Sequence, residues 1–431
     1  MSPQPESPQW FCAQIGAREH YAVPRVLHQS GRLATLYTDF WAGPATRAAA
    51  ARWNSGALRS LATRWHQELS DGGRKSGVHS WNLRALWWEM ILRRQKTGNP
   101  GRSAAGAGPY HAFIELGRRF ATCVREDLKR QKNLPPGAIF YAYDTGALEA
   151  FAWCRERGLK CVLNQMDPNR VEVDLVRAEE KQWPGWAPQS IQVPDEYFVR
   201  REQEWALADR IVVNSEFSRQ ALLQQGVPPE KLVVIPLCFD PPDMNRQPAT
   251  GDRQPDHPLR VLFLGQVILR KGIQYLLAAA KQLEKENIHF DIVGPVGISA
   301  DAVATAPKNV TFHGRTGRDQ AANWYRQSQV FVLPTLSDGF AITQLEAMAH
   351  ALPVVTTPCC GEVVSDGVDG FIIPPRAVEP LVRAFQSYLV EPDLLRRQSA
   401  AALLKTRQFT AGRLAENLRR LEADLLPTEN K

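Results

Sequence analysis

Short apolar runs alternate with longer amphipathic stretches along most of this chain, and the alternation predicts strand, helix, strand, helix. Trp10–Ile15 reads as a first strand, a helix from about His20 to Gln29 stops at Gly31, and Leu33–Tyr37 makes a second strand. A helix from about His111 to Lys132, strand Ala138–Tyr143, helix Ala147–Arg157 and strand Lys160–Asn164 continue the pattern. A helix closing at Glu202–Asp209 follows, then strand Arg210–Ser215, helix Glu216–Gly226 and strand Lys231–Pro236. Further on come strands Leu259–Leu264, His289–Val293, Val310–His313 and Val330–Leu333, with helices at Ile273–Leu283 and from about Ala341. Helices near Glu379–Tyr388, Pro392–Gln408 and Ala411–Leu425 end the chain. The expected fold class is α/β with doubly wound parallel sheets, in which ligands sit at the carboxyl ends of the strands.

At 431 residues the chain exceeds one ordinary core. Pro241, Pro242, Pro248, Pro255 and Pro258 lie among polar residues with no apolar period, the composition of a linker. The expected division is a first domain over 1–245, a linker over 246–258, a second domain over 259–409 and a last helical segment over 410–431. The first domain carries a helical insert at about 41–132, where six of the twelve tryptophans fall: Trp41, Trp53, Trp65, Trp81, Trp87 and Trp88. Leu58, Leu61, Trp65 and Leu69 share a helical face, with Arg47, Arg52, Arg59 and Arg64 around it. Such a segment either packs its aromatics on the first sheet or lies on a membrane surface. Thr97–Pro109 is a flexible loop by composition.

Composition narrows this picture. Apolar residues at 44% and charged ones at 23% are ordinary for a globular protein, and no apolar run approaches the length of a bilayer span. The opening Met1-Ser2-Pro3-Gln4-Pro5 lacks the basic and apolar regions of a signal peptide, so the expected location is cytoplasmic or peripheral at the inner membrane face. Seven cysteines without metal-type spacing fit reduced thiols, the adjacent Cys359 and Cys360 included. A net charge of +7 favours anionic partners, but no aromatic and basic recognition motif accompanies it, so nucleic acid is not expected.

Candidate chemistry concentrates between Thr335 and Pro353. The run Val330–Leu333 ends in Pro334, and two acids, Asp338 in the turn and Glu346 in the helix, have seven residues between them, Gly339 and Phe340 among these. An uncapped helix start attracts phosphate through its unpaired N–H groups and its dipole, and a carboxylate just beyond can accept two hydrogen bonds from a ribose diol. The stretch reads as a nucleotide holder; the plainer alternative is a surface turn with two solvated acids. About 70 residues earlier, Arg270 and Lys271 lie against the start of the helix from Ile273, where a bound anion would offset the clash between their charge and the dipole. A solvated basic loop is the alternative there.

The acid, seven residues, Glu346, then Ala347-Met348-Ala349 and Pro353-Val354-Val355 resemble the signature of glycosyltransferase family 4. These are retaining enzymes of GT-B architecture, two Rossmann-like domains facing each other across a cleft, with a glycogen-synthase-like C-terminal domain. The resemblance covers most of the chain and is best over 200–375. It implies that Glu346 holds the donor ribose, Asp338 contacts the sugar, and the amides of Gly339, Phe340, Ala341 and Ile342 take the diphosphate. Lys271 matches the family's lysine in the earlier loop; Gln266, after Gly265, stands where the family has an arginine, and Arg270 is its implied substitute. Gly294 and Arg315 fall at strand ends that approach the base and ribose, and Gly16 matches the N-terminal glycine-rich loop. On the acceptor side, Arg18 lies near that loop and Asp167 stands where the family places a histidine. Asp338 for the usual glutamate, Ala341 for a glycine and the Leu237-Cys238-Phe239-Asp240 turn are departures. The last segment, 410–431, is expected to return to the first domain, as in that architecture.

The activity so implied is transfer of a sugar from a nucleoside diphosphate to an acceptor hydroxyl on a glycan, a lipid-linked or a small molecule, as in polysaccharide biosynthesis. No cofactor or metal is expected, because Lys271, Arg270 and the amides would neutralise the leaving diphosphate. Two alternatives stand beside it: a GT-B enzyme of other chemistry, such as a sugar-nucleotide epimerase or a phosphorylase, and a non-catalytic nucleotide-sugar-binding protein.

Overall fold

A computed structural model describes residues 8–52, 61–70, 77–88, 109–131, 134–188, 192–239 and 257–426. Trp53, Leu58, Arg59, Asp240, the linker up to 256, most of the 97–109 loop and residues 427–431 lie outside the described residues.

Seven parallel strands form the first sheet: β1 (Trp10–Gln14), β2 (Leu33–Thr38), β3 (Val78–Ser80), β4 (Ile139–Tyr143), β5 (Lys160–Gln165), β6 (Arg210–Val213) and β7 (Leu232–Val234), in the order β3-β2-β1-β4-β5-β6-β7. Six more form the second: β8 (Leu259–Leu264), β9 (Ile288–Val293), β10 (Val310–Gly314), β11 (Val330–Leu333), β12 (Val354–Thr356) and β13 (Gly370–Ile372), in the order β10-β9-β8-β11-β12-β13. Every pairing is parallel. The central strands β1, β4 and β11 are buried along their whole length, as helices on both faces require. In each sheet the strand order reverses once, between β1 and β4 and between β8 and β11, and these switch points open the crevices where ligands bind.

The insert expected to be helical contains a strand, β3, which pairs with β2 through Leu36 and Val78; three residues are too short to show alternation in the sequence. The face drawn through Leu61, Trp65 and Leu69 does not belong to one helix, because the chain turns at 63–66 before the short helix Gln67–Ser70. Leu61, Leu69 and Trp88 are buried, Trp65 lies under Arg47 at 3.6 Å, and Trp41 packs edge-on against Tyr21. Trp87 is exposed. No helix among the described residues is long and apolar enough to cross a membrane.

Two helices tie the units together. Ala411–Leu425 presents Leu414, Leu418, Leu421 and Leu425 at helical spacing to the core of the first sheet. Its Glu422 accepts from the Trp10 indole at 2.8 Å and pairs with Arg32 at 3.0 Å. The helix Arg170–Gln182 precedes the linker in sequence; its first turn packs on Phe198 of the first unit through Arg170 and Val173, and its later residues reach the second unit. There its buried Glu179 accepts from Gln274 at 2.9 Å, from the Tyr275 hydroxyl at 2.8 Å and from Arg376. Trp183 and Trp186 just after it pack on the second core. Residues 170–186 thus touch both units.

Candidate functional site

The loops after β8 and β11 meet because Gly272 sits at φ +74° with its α-carbon against the Pro334 carbonyl; a Cβ there would lie 1.9 Å from that oxygen. Across this contact Leu336 N–H donates to the Arg270 carbonyl at 2.8 Å. Lys271 and Asp338 are thereby brought together, and they form an ion pair. Arg270 donates to the Ser337 carbonyl at 2.7 Å and pairs with Glu172 at 3.3 Å. Ser337 Oγ also donates to Glu172, at 2.8 Å. The two cations expected to await a phosphate therefore already face carboxylates. Asp338 meets a lysine in place of a sugar.

Glu172 belongs to the Arg170–Gln182 helix, which the sequence reading leaves unassigned. Val171, Val173 and Leu175 alternate with polar residues and mask the helical period. Burial pushes the Glu172 carboxyl up, with Arg270 opposing.

A cavity of about 660 Å³ opens beside this cluster, between the units. Phe340, Ile342 and Glu346 line it from the second unit, and Glu19, His20 and Met166 from the first. Glu346 accepts from the Tyr325 hydroxyl at 2.8 Å, and the His350 ring sits 2.8 Å from the Glu346 carbonyl. The helix Ile342–Ala349 begins at Ala341 without a side-chain cap. Of the four amides expected for a diphosphate, that of Ala341 is taken, donating to the Cys360 carbonyl at 3.2 Å.

Gly339 has a different reason from the one its sequence suggests. A Cβ on it would lie 2.3 Å from the Met166 carbonyl and 2.9 Å from Asn214 Oδ1, so the missing side chain admits the first unit. Met166 lines the cavity, whereas neither Lys271, Arg270 nor Asp338 does.

The remaining expected residues are placed as follows. Gly265 and Gly294 close the ends of β8 and β9, their N–H groups donating to Val293 and Gly314 carbonyls at 3.0 and 2.8 Å; Gln266 and Arg315 are exposed at the same edge. None of these four lines the cavity. Gly16, at φ +75°, gives its N–H to Asp39 at 2.8 Å, and Asp39 in turn binds Arg64 at 2.6 Å. Arg18 stands 5.8 Å over the Tyr143 ring. Asp167 is held by the buried Arg201 at 2.9 Å; burial would raise its carboxyl, but Arg201 wins and lowers it. Arg201 also binds Asp144. His313 lies 2.8 Å from Asp291, a strand-end pair. Among the described residues no three His, Cys, Asp or Glu side chains gather to hold a metal.

Residues 258–391 match the family Glycosyl transferases group 1. A D-inositol 3-phosphate glycosyltransferase of Streptomyces griseus is 34% identical over 174 residues, 36% of this chain and 37% of that protein. The chain spans between about a third and half of the length of the curated relatives it matches. Among solved structures, HepE of Anabaena in complex with UDP superposes with a TM-score of 0.59 at 14% identity, over 96% of this chain and 99% of that one. Sucrose-phosphate synthase from Thermosynechococcus elongatus gives 0.61 at 16% identity, over 97% and 99%. The two facing parallel sheets are the GT-B fold of these neighbours.

Proposed function

We propose that this chain, whose second unit carries a group 1 glycosyltransferase domain, transfers a sugar from a nucleoside diphosphate to an acceptor hydroxyl with retention at the anomeric carbon. The observation that carries the reading is Glu346: it lies on the wall of the cavity between the units, one turn beyond an uncapped helix start that lines the same cavity. That arrangement offers a carboxylate to a ribose and free N–H groups to the adjoining phosphate. That HepE, a chain of the same fold, is found in complex with UDP supports a nucleotide ligand for this fold.

Lys271 and Arg270 are neutralised by Asp338 and Glu172. A diphosphate that displaces those carboxylates takes over both cations, and Asp338 is then released toward the sugar. The cations would act most strongly on the departing diphosphate, where charge grows during transfer. The units must part at Gly339 and Met166 to admit the donor and close again to exclude water. Peripheral contact of the Trp87 face with a membrane belongs to the same proposal where the acceptor is lipid-linked.

Thermal denaturation with UDP, GDP and ADP tests the donor half, since a ligand at 100 times its Kd adds about 2.7 kcal/mol of stability. Glu346→Ala, folded, is expected to weaken binding of the stabilising nucleotide by well over tenfold, for a loss of about 2 kcal/mol or more. Unchanged affinity would remove the assignment. Turnover of the corresponding sugar nucleotide separates an enzyme from a binding protein.

A further inference from the structure

Facing Glu346 across the cavity is a second carboxylate, Glu19, to which the proposed reaction assigns no task. Glu19 opens a turn after β1 in which three successive non-glycine residues, Glu19, His20 and Tyr21, take left-handed backbone with φ of 49°, 50° and 60°. Each costs about 1–2 kcal/mol, and such strain persists where the surroundings hold it for a purpose. Tyr21 is buried in the core and anchors the turn, while Glu19 is the residue the turn delivers to the cleft.

The Glu19 carboxylate has thin support as an anion. Asn164 Nδ2 donates to it at 3.4 Å while also bonding the Tyr141 hydroxyl at 2.7 Å, and Glu19 forms no salt bridge among the described residues. Burial pushes the carboxyl up to about 7, against the Tyr143 hydroxyl, Arg18 and Asn164, which favour the ionised form. The first turn of the Ile342–Ala349 helix lines the same cavity, so a diphosphate seated there meets Glu19 on the opposite wall. Two anions so placed repel; a proton on Glu19 converts the repulsion into a donated hydrogen bond.

We propose that Glu19 is a ligand of the donor diphosphate in its protonated form: the neutral carboxyl donates to a phosphate oxygen, and donor binding takes up a proton from solvent. The inference rests on the nucleotide reading above and assigns the acceptor-side wall a part in holding the donor.

Other groups face Glu19 and bear on the test. Beneath it lie Cys12, Tyr141 and Tyr143, all raised by burial and protonated throughout the neutral range. Beside it are Arg18, His20, His66 and Arg25, the last already paired with Glu68 at 2.9 Å. Across the cavity stand Tyr325, Glu346 and His350. Of these, the imidazoles of His20, His66 and His350 are the groups from which the test must distinguish Glu19.

The experiment is calorimetric titration of UDP-glucose into the full-length protein at several pH values, in buffers of different ionisation enthalpy. The sugar nucleotide of GDP or ADP replaces it if one of those bases is the one that stabilises the protein. A sugar diphosphate lacks the terminal phosphate ionisation near ~6, so any proton taken up belongs to the protein. Affinity is expected to be constant below the free carboxyl's value and to fall by up to about tenfold per pH unit above it, until the value in the complex is passed. Glu19→Gln keeps a donor without a titrating proton. It should bind without proton uptake, with a pH-independent Kd close to the wild-type value at low pH; His350→Gln should retain the uptake. Uptake that persists in Glu19→Gln, or none in the wild type, overturns the proposal. Failure of all three nucleotides to bind the wild type would instead overturn the nucleotide reading on which it rests.

Discussion

Arg270 carries a charge that the fold already neutralises, and this decides how the donor subsite behaves. Glu172 occupies one edge of the guanidinium at 3.3 Å and holds Ser337 at 2.8 Å, so an incoming diphosphate competes with a tethered carboxylate. Glu172→Gln removes the competing charge and keeps the shape. It should tighten UDP-glucose binding about three- to tenfold by calorimetry, roughly 1 kcal/mol; an unchanged Kd would show that Glu172 does not compete with the donor, and weaker binding that it helps to hold it. Glu346 and the helix start at Ile342 were legible in the sequence because an acid, a turn and a helical period lie within one short segment. Glu172 and Glu19 were not, since their neighbours are distant in the chain: Glu172 meets Ser337, and Glu19 meets Asn164.

The helix Arg170–Gln182 is the element whose placement matters most. Its Glu179 is wholly buried against Gln274, Tyr275 and Arg376, which fastens a segment from the first half of the chain to the second unit. In Glu179→Ala, Gln274 and Tyr275 would keep buried donors without an acceptor, while the partly exposed Arg376 could turn to water. The expected loss is about 3 kcal/mol in urea denaturation, with faster hydrogen exchange over 170–182. A loss below about 1 kcal/mol would mean that the segment is held chiefly by its other contacts, Glu172 with Arg270 and Ser337 and the packing of Trp183 and Trp186. The last helix was readable to its ends, Ala411 and Leu425, because leucines at 414, 418, 421 and 425 mark one face. The helix over 170–182 gave no such stripe: its sole buried residue is an acid, and its docking depends on polar partners that periodicity does not reveal.

For the whole molecule, the close approach of the units is the property with most consequence. Gly339 packs against the Met166 carbonyl so tightly that one added carbon would overlap it, at 2.3 Å. Gly339→Ala should therefore hold the units apart, raising the radius of gyration in small-angle scattering and lowering turnover at least tenfold. The thermal transitions of the units should change little, because the strain falls between them and not within either core. A variant with the wild-type scattering profile and rate would show that the closed contact is not part of the cycle.

What the sequence determined by itself is what local order encodes. Apolar runs of strand length separated by helical periods specify two parallel α/β sheets, and a proline-bearing polar stretch separates them. The turn and helix at 335–353 place a carboxylate one turn beyond an open helix start. Tertiary structure alone decided the electrostatics: Lys271 pairs with Asp338, Arg270 with Glu172 and Asp167 with Arg201, and none of Lys271, Arg270 and Asp338 lines the cavity that Glu346 lines. The reason is physical. Backbone propensity is set by neighbours in the chain, whereas the charge a side chain faces and the water it loses depend on residues that only folding brings within a few ångströms.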